Sequence, residues 1–247
     1  MKIHSFFALS LAVAVLAGCA TPRQQPVSLN RDAIGPQAGR IAVAMTELPK
    51  REMLTPGADC LLCLASARML NSSLIDHIRS LPLEDLPNLR NEAAELLRKQ
   101  GARVVVVDEP LDVSALSGWD GKGQDLAVKD FSPLREKYGA DRLLVFDIQA
   151  LGLIRNYSAY IPTGDPRANL IGTGYMVELN SNHYDWYLPV TITRSTDRNW
   201  DESPAFPGLT NAYFQVLELG REEFLKPFAA DGVKAVASSG NPAGGAR

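Results

Sequence analysis

The chain has 247 residues, a formal net charge of −3 and 46% hydrophobic residues. Lysine and arginine (25) do not outnumber aspartate and glutamate (28), so the composition does not support a nucleic-acid partner. This length is sufficient for one substantial hydrophobic core. After the N-terminal region, no apolar stretch approaches the ~20 residues that a membrane-spanning helix needs.

The first eighteen residues predict an export signal. Lys2 precedes an apolar run from Phe6 to Leu16, which is too short to span a bilayer and is typical of a signal peptide. The ending "LAGC", which closes at Cys19, resembles the lipobox of bacterial lipoproteins. That resemblance implies cleavage before Cys19 and attachment of fatty acyl chains such as palmitate to it. An ordinary signal peptide that ends near a cysteine is the alternative interpretation.

The residues after Cys19 predict the location of the protein. In lipoproteins an aspartate after the cysteine commonly retains the protein at the inner membrane, and this chain has Ala20. The resemblance therefore implies an outer-membrane anchor, with the body of the protein facing the periplasm. Residues 19–38 contain three prolines and few large apolar side chains, which predicts a flexible tether.

Cys60 and Cys63 are the other two cysteines, and they lie at the start of a predicted helix. One helical turn brings such positions within about 5–6 Å, and disulfides persist in an oxidising compartment, so we predict a structural disulfide. The pair also resembles the C-x-x-C of thioredoxin-like oxidoreductases, which leaves a redox-active pair as an alternative. The intervening Leu61 and Leu62 favour burial of the sulfurs. Free thiols or a metal site remain the third interpretation, although the mature chain offers only two histidines as further zinc ligands.

The region up to residue 150 alternates helical and extended patterns. The segment "LASARMLNSSLIDHIRSL" predicts one helix with Leu70, Leu74, Ile78 and Leu81 on a single apolar stripe. The segment "NLRNEAAELLRKQG" predicts a second helix that stops at a glycine, and "FSPLREKYG" predicts a third. The predicted strands of this half are "GRIAVAM" (39–45), "ARVVVVDE" (102–109) and "LLVFDI" (143–148).

The second half predicts a hairpin and one long helix. The segment "GTGYMVELNSNHYDWYLPVTIT" alternates in the manner of two strands joined at Asn180, Ser181 and Asn182. The predicted faces of its second strand are Tyr184, Trp186, Leu188, Val190 and Ile192 on one side, and His183, Asp185, Tyr187, Thr191 and Thr193 on the other. The segment "PGLTNAYFQVLELGREEFLKPF" then predicts a helix that closes over the sheet.

These elements predict an α/β fold: a single domain with a mixed β-sheet, helices packed on it, and a C-terminal hairpin and closing helix. The predicted divisions are a lipoprotein signal peptide (1–18), a tether (19–38), a periplasmic α/β domain (39–228) and a disordered tail (229–247). The segment "EKYGADRLLVFDI" and the hairpin after it resemble the periplasmic α/β domains of envelope lipoproteins, a group that includes the TolB N-terminal domain, CsgG and LpoB.

Residues that could carry out chemistry are few. No nucleophile elbow, Walker loop or H-E-x-x-H motif is present, and the Gly-rich segment 118–125 lacks the spacing of a phosphate-binding loop. His77 and His183 are expected to be structural. Asp108 and Glu109 follow one predicted strand and Asp147 lies in the next, so they could act as acid and base at one sheet edge, or be exposed and hydrogen-bonded residues with no catalytic role. The aromatic group that could contain a protein interface comprises Tyr157, Tyr160, Tyr175, Tyr184, Trp186, Tyr187 and Trp200.

The sequence therefore predicts a non-catalytic accessory or adaptor lipoprotein, with the membrane as partner through Cys19 and an envelope protein as the second partner. We expect no cofactor, no metal and no catalytic residue. A periplasmic thiol–disulfide oxidoreductase that uses Cys60 and Cys63 is the alternative of a different class. A carrier of a small or lipidic ligand is the third hypothesis, and it would need a sizeable apolar pocket.

Overall fold

The computed structural model describes residues 24–197 and 199–229. The predicted signal peptide, Cys19 and nearly all of the predicted tail lie outside the described residues.

Eight strands are present among the described residues. They are β1 (Arg40–Met45), β2 (Arg51–Leu54), β3 (Arg103–Val106), β4 (Arg142–Ile154), β5 (Tyr157–Ser158), β6 (Ile161–Pro162), β7 (Arg167–Glu178) and β8 (His183–Arg194). The main sheet has the order β3-β1-β4-β7-β8, and β2 pairs with the far end of β4, on the same side as β1. Pairs β1–β3, β1–β4 and β2–β4 are parallel, whereas β4–β7 and β7–β8 are antiparallel. The sheet is therefore mixed, as predicted.

Five α-helices are present in the described part of the chain. They are α1 (Leu61–Leu70), α2 (Ser72–Ser80), α3 (Leu89–Lys99), α4 (Pro133–Tyr138) and α5 (Pro207–Leu225). The main core joins one sheet face to α2, α3 and α5, and a smaller core joins the other face to α4 and the loop before it. Helix α5 buries Leu209, Tyr213, Val216, Leu217 and Phe224, as its periodicity predicted. The single α/β domain is thus confirmed.

The helix predicted around residue 70 is two helices instead of one. Asn71 lies between α1 and α2 and is 1% exposed. Its side-chain nitrogen donates to the carbonyl of Ala67 (2.7 Å) and to the hydroxyl of Tyr157 (2.6 Å). Because Asn71 redirects the chain at this point, Leu70 leaves the apolar stripe and is exposed, while Leu74 and Ile78 remain in the main core.

The predicted faces of β8 are wrong at Tyr184. The register shifts between Met176, which pairs with Trp186, and Val177, which pairs with Tyr184. Asp185 is the additional residue of this β-bulge, and a bulge reverses the alternation of side chains. Trp186 therefore lies in the main core, whereas Tyr184 lies in the smaller core with Tyr187.

The described part of the predicted tether packs on the domain, which corrects the expectation of flexibility there. Val27 pairs with Tyr187 of β8 through two backbone hydrogen bonds of 2.9 and 3.0 Å. The Asn30 side chain donates to the carboxylate of Asp185 at 3.1 Å, and Ile34 is almost completely buried in the main core. The sequence pattern did not reveal this docking because the contacts are made to β8, more than 150 residues away.

Candidate functional site

Helix α1 is unusual because it points its largest apolar side chains outwards. Leu61, Leu62 and Met69 are 88%, 71% and 78% exposed, and Leu70 at the end of the helix is 63% exposed. The helix buries only Cys63 and Ala67, one turn apart on its inner face. A surface helix of a monomer normally shows the reverse arrangement, with its apolar stripe towards the core.

The inner face of α1 rests on a small separate cluster. Cys63 and Ala67 pack with Ala58 and Tyr157, and none of these four belongs to the main core. The backbone around Tyr157 holds this cluster in place, since Tyr157 donates to the carbonyl of Pro56 at 2.8 Å. Gly57 has a φ of +86°, and a Cβ at this position would lie 2.0 Å from the Tyr157 carbonyl oxygen. Only glycine fits this close approach.

The β5–β6 hairpin extends the apolar surface beyond the N-terminus of α1. Tyr160 is 50% exposed and Ile161 is 68% exposed at its tip. The Tyr160 hydroxyl lies 3.7 Å from Sγ of Cys60, which places the hairpin beside the first turn of the helix. We refer to Leu61, Leu62, Met69, Leu70, Tyr160 and Ile161 together as the apolar patch.

Cys60 and Cys63 form a disulfide, with Cα atoms 4.9 Å apart. Cys60 is the N-cap of α1, and its Sγ accepts a hydrogen bond from the backbone N–H of Cys63 at 2.9 Å. The predicted bond is present, but the expectation that Leu61 and Leu62 bury its sulfurs is wrong. Leu61 and Leu62 are exposed and do not bury the sulfurs. Cys63 is buried by the small cluster under α1, and Cys60 is exposed.

A polar network supports the other end of α1. The Arg155 guanidinium donates to the side-chain oxygen of Asn71 at 2.9 Å and lies over the ring of Trp200, 4.7 Å from its centre. This stacking places a charged group against an aromatic face, an arrangement that is favourable by about 0.5–2 kcal/mol. The C-terminal end of α1 is therefore attached to the domain by polar contacts, whereas Leu61, Leu62 and Met69 on its outer face are exposed.

The structure does not join the predicted carboxylates into an acid–base pair. Asp108 and Glu109 are exposed after β3, and Asp108 contacts Arg90 at 3.8 Å. Asp147 on β4 instead accepts hydrogen bonds from Thr46 (2.9 Å) and Gln149 (3.1 Å). Asp108 and Glu109 are thus exposed and Asp147 is hydrogen-bonded, which is the alternative to an acid–base pair that the sequence left open.

Of the two described histidines, His77 is packed in the structure and His183 is exposed. Nε2 of His77 lies 2.7 Å from the Thr210 hydroxyl, and its ring packs against Phe206 with 5.4 Å between ring centres. Burial lowers the pKa of His77, because the imidazolium form loses hydration there. His183 is exposed at the start of β8.

Most of the predicted aromatic group lies in the interior. Tyr175, Tyr184 and Tyr187 contact one another on the back face of the sheet, with ring centres 5.0–6.4 Å apart. Burial raises the pKa of Tyr175 and Tyr184, so both stay neutral. They line one side of a cavity of about 110 Å³, which is well below the usual ~300 Å³ of a small-molecule site. Tyr160 is the member of the group with the greatest exposure.

The apolar patch was not predicted from the sequence. One signal was available: the segment "LLCLASARML" contains a single charged residue, Arg68, and places apolar side chains on every side of the helix. Such a helix has an apolar partner on each side or contacts lipid. In the described part of the chain no helix is long and apolar enough to cross a membrane, and no cluster of three metal-binding side chains occurs there.

Comparisons with known proteins leave the family open. No family model and no curated protein matches the chain. Similar solved structures include a PelC dodecamer from Paraburkholderia phytofirmans (14% identity, 78% of this chain, 94% of that chain, TM-score 0.29). Protein XCC0632 from Xanthomonas campestris (DUF330) has 14% identity, covers 86% and 97% of the two chains, and has a TM-score of 0.32. Lipoprotein GNA1162 from Neisseria meningitidis has 12% identity, 73% and 98% coverage, and a TM-score of 0.30. Likenesses this distant carry no functional argument.

Proposed function

We propose that this protein is an outer-membrane lipoprotein, anchored through Cys19, whose periplasmic domain is a non-catalytic adaptor that docks through the apolar patch. The anchor rests on the "LAGC" junction and the sorting residue Ala20. The docking role rests on α1. A monomer rarely exposes a contiguous apolar surface of more than a few hundred Å² unless that surface binds something.

The exposed outer face of α1 is the observation that carries this proposal. Exposed leucine and methionine side chains contribute nothing to stability until a partner covers them, because the hydrophobic effect depends on removing apolar area from water. The chain nevertheless holds this helix at both ends, through the packing of Cys63 in the cluster with Tyr157 and through the Asn71–Arg155 hydrogen bond. A fastened helix presents its side chains with little loss of conformational entropy on binding.

Site-specific photo-crosslinking in intact cells tests the docking role. A photoreactive residue at Leu62 should form adducts with a bound protein, whereas the same residue at Val128 should not. Val128 is a matched control because it is equally exposed (72%, against 71% for Leu62) but lies in the loop before α4, away from the patch. Equal labelling from both positions, or none from Leu62, would contradict the docking role.

A second candidate function, thiol–disulfide exchange, is favoured by one specific observation. The first cysteine of the pair is exposed at a helix N-terminus and the second is buried, which is the arrangement that activates an attacking thiolate. A partner thiolate would attack Sγ of Cys60 and release Cys63 as a thiolate. The second thiolate of the partner would then attack the mixed disulfide, leaving Cys60 and Cys63 reduced and the partner oxidised. A reduction potential between about −120 and −270 mV would support this candidate over a structural bond.

A further inference from the structure

The position of the N-terminal chain helps to decide what binds to the apolar patch. The Gln24 side chain donates to the Asp125 carboxylate at 2.9 Å, and the carbonyl of Asp125 accepts from the N–H of Tyr184. Tyr184 pairs with Val177, which pairs with Leu143 near the start of β4. Gln24, the first described residue, therefore lies at the end of the sheet where β4 begins.

The apolar patch lies at the opposite end of the same strand. Helix α1 packs on Tyr157, just after β4 ends at Ile154. The path from Leu143 to Ile154 along β4 is about 36 Å at ~3.3 Å per residue. The five residues from Cys19 to Gln24 reach at most about 18 Å. The bilayer entered by the proposed anchor is thus at the far end of the domain, which disfavours lipid as the occupant of the patch.

The outer face of α1 carries an apolar stripe with a small residue at its centre. Leu61, Ala65 and Met69 are spaced by four residues and form one stripe, with the small Ala65 at its centre. If a second α1 crosses antiparallel over Ala65, Leu61 of each copy meets Met69 of the other. The alanine lets the two helix axes approach to the lower end of the usual ~8–10 Å range.

The charges near α1 also permit this pairing. Arg68 is the single charged residue of the helix. In an antiparallel pair centred on Ala65, the two Arg68 side chains lie on opposite sides of the two-fold axis, so they do not repel at close range. Each points towards the N-terminal end of the other helix, where Asp59 is exposed. The aliphatic stem of Arg68 can then cover Leu62 of the partner copy.

The exposed area is at the lower end of what a dimer requires. Leu70 does not face Ala65, because it lies seven residues after Cys63 and in line with the buried side of the helix. The other five side chains of the patch are each between 50% and 88% exposed. Together they expose on the order of 600 Å², against the ~800 Å² per partner of a standard interface. On these grounds, and resting on the proposed docking function, we propose that the occupant of the patch is α1 of a second copy of this chain, in an isologous dimer with its two-fold axis at Ala65.

Analytical ultracentrifugation of the mature chain, exported from Ala20 by a signal that does not direct lipidation, tests this proposal. The wild type should sediment as a dimer. Leu61→Asp and Met69→Asp should each weaken dimerisation at least tenfold and leave the circular dichroism spectrum and melting temperature unchanged, because both side chains are outside the core. Val128→Asp, which adds the same charge at a similarly exposed apolar site, should remain dimeric.

A disulfide trap in the full lipoprotein tests the position of the axis. Ala65→Cys should form a covalent dimer on a non-reducing gel, since a residue on a two-fold axis faces its own copy, and Val128→Cys should not. A wild type that is monomeric up to about 100 µM would overturn the proposal, as would patch-dependent binding to phosphatidylethanolamine–phosphatidylglycerol vesicles without dimers. Crosslinks from Leu62 to a different protein, together with a monomeric chain, would overturn the dimer while leaving the adaptor function standing.

Discussion

At the residue scale, the disulfide holds the first turn of α1, the helix that carries most of the apolar patch. Cys63 is one of four residues in the small cluster under α1, so the helix has little burial of its own to hold it. The bond fixes the first turn, and Sγ of Cys60 satisfies the N–H of Cys63, which would otherwise lack a helical partner. The disulfide therefore stabilises α1 more than it stabilises the domain.

We expect the double variant Cys60→Ser, Cys63→Ala to lose about 2 kcal/mol or less of unfolding free energy. The closed loop is short, so the bond removes little entropy from the unfolded chain, and a serine at the N-cap can replace the hydrogen bond of the sulfur. Urea denaturation measures the global effect, and hydrogen exchange measures α1 separately. Exchange should rise mainly in residues 61–70.

A loss of several kcal/mol in this variant would show that the bond stabilises the whole domain. Unchanged exchange in α1 would show that the small cluster is sufficient by itself. A loss of cellular function with α1 still protected would instead favour the exchange reaction over the structural role.

At the element scale, the β7–β8 turn organises the loop that covers the back of the sheet. Asn182 is completely buried and has a φ of +60°. Its side chain donates to the carbonyls of Ala127 (2.9 Å) and Lys129 (2.8 Å) and accepts from the N–H of Phe131 (3.0 Å). One side chain thus satisfies three backbone groups of a loop more than 50 residues away.

We expect Asn182→Ala to destabilise the protein by about 3 kcal/mol, since three buried hydrogen bonds are lost at roughly 1 kcal/mol each. Asn182→Gly should be almost as destabilising, because glycine relieves the positive φ but restores none of the bonds. Thermal and urea unfolding measure both variants. Asn180→Ala, in the same turn but exposed, is the control and should change stability by less than about 0.5 kcal/mol. If Asn182→Gly recovers most of the loss, backbone conformation and not hydrogen bonding is the cause.

At the scale of the whole molecule, the first described residues and the apolar patch lie at opposite ends of one long sheet. The docked segment from Val27 to Ala38 makes this arrangement rigid, because it ties the N-terminal chain to β8 a few residues after the proposed lipid. Asp185 joins this segment to the sheet: it accepts from Asn30 (3.1 Å) and from Arg142 (2.8 Å). If Cys19 carries the proposed anchor, this arrangement holds the apolar patch at a set distance from the membrane.

If Cys19 carries the proposed anchor, the mature protein begins with a lipid-modified Cys19. Mass spectrometry of the mature protein should show acyl chains on Cys19, and Cys19→Ser should leave an uncleaved precursor. Ala20→Asp should shift the protein towards the inner-membrane fraction, since it introduces the retention residue. Cys60→Ser is the control, because it removes a cysteine without touching the junction. An unmodified mature N-terminus at another residue would contradict the lipoprotein assignment.

Local patterns in the sequence were sufficient for most of the fold. Helical periodicity predicted α3 and α5, and runs of β-branched and apolar residues predicted β1, β3 and β4. The spacing of Cys60 and Cys63, together with the oxidising compartment that the N-terminal signal implies, predicted the disulfide, because one helical turn brings such residues together. These features depend on contacts within a few residues of the chain.

The remaining features were decided by contacts between distant residues. The bulge at Asp185 reversed the face of Tyr184, and its register is set by pairing with β7. Asn71 divided one predicted helix into two because its side chain bonds to Tyr157. The apolar patch is the clearest case: periodicity shows that a helix is apolar, but which side faces the core depends on what packs against it. For α1 the small side chains of Cys63 and Ala67 fit against Tyr157, and Leu61, Leu62 and Met69 are left in solvent.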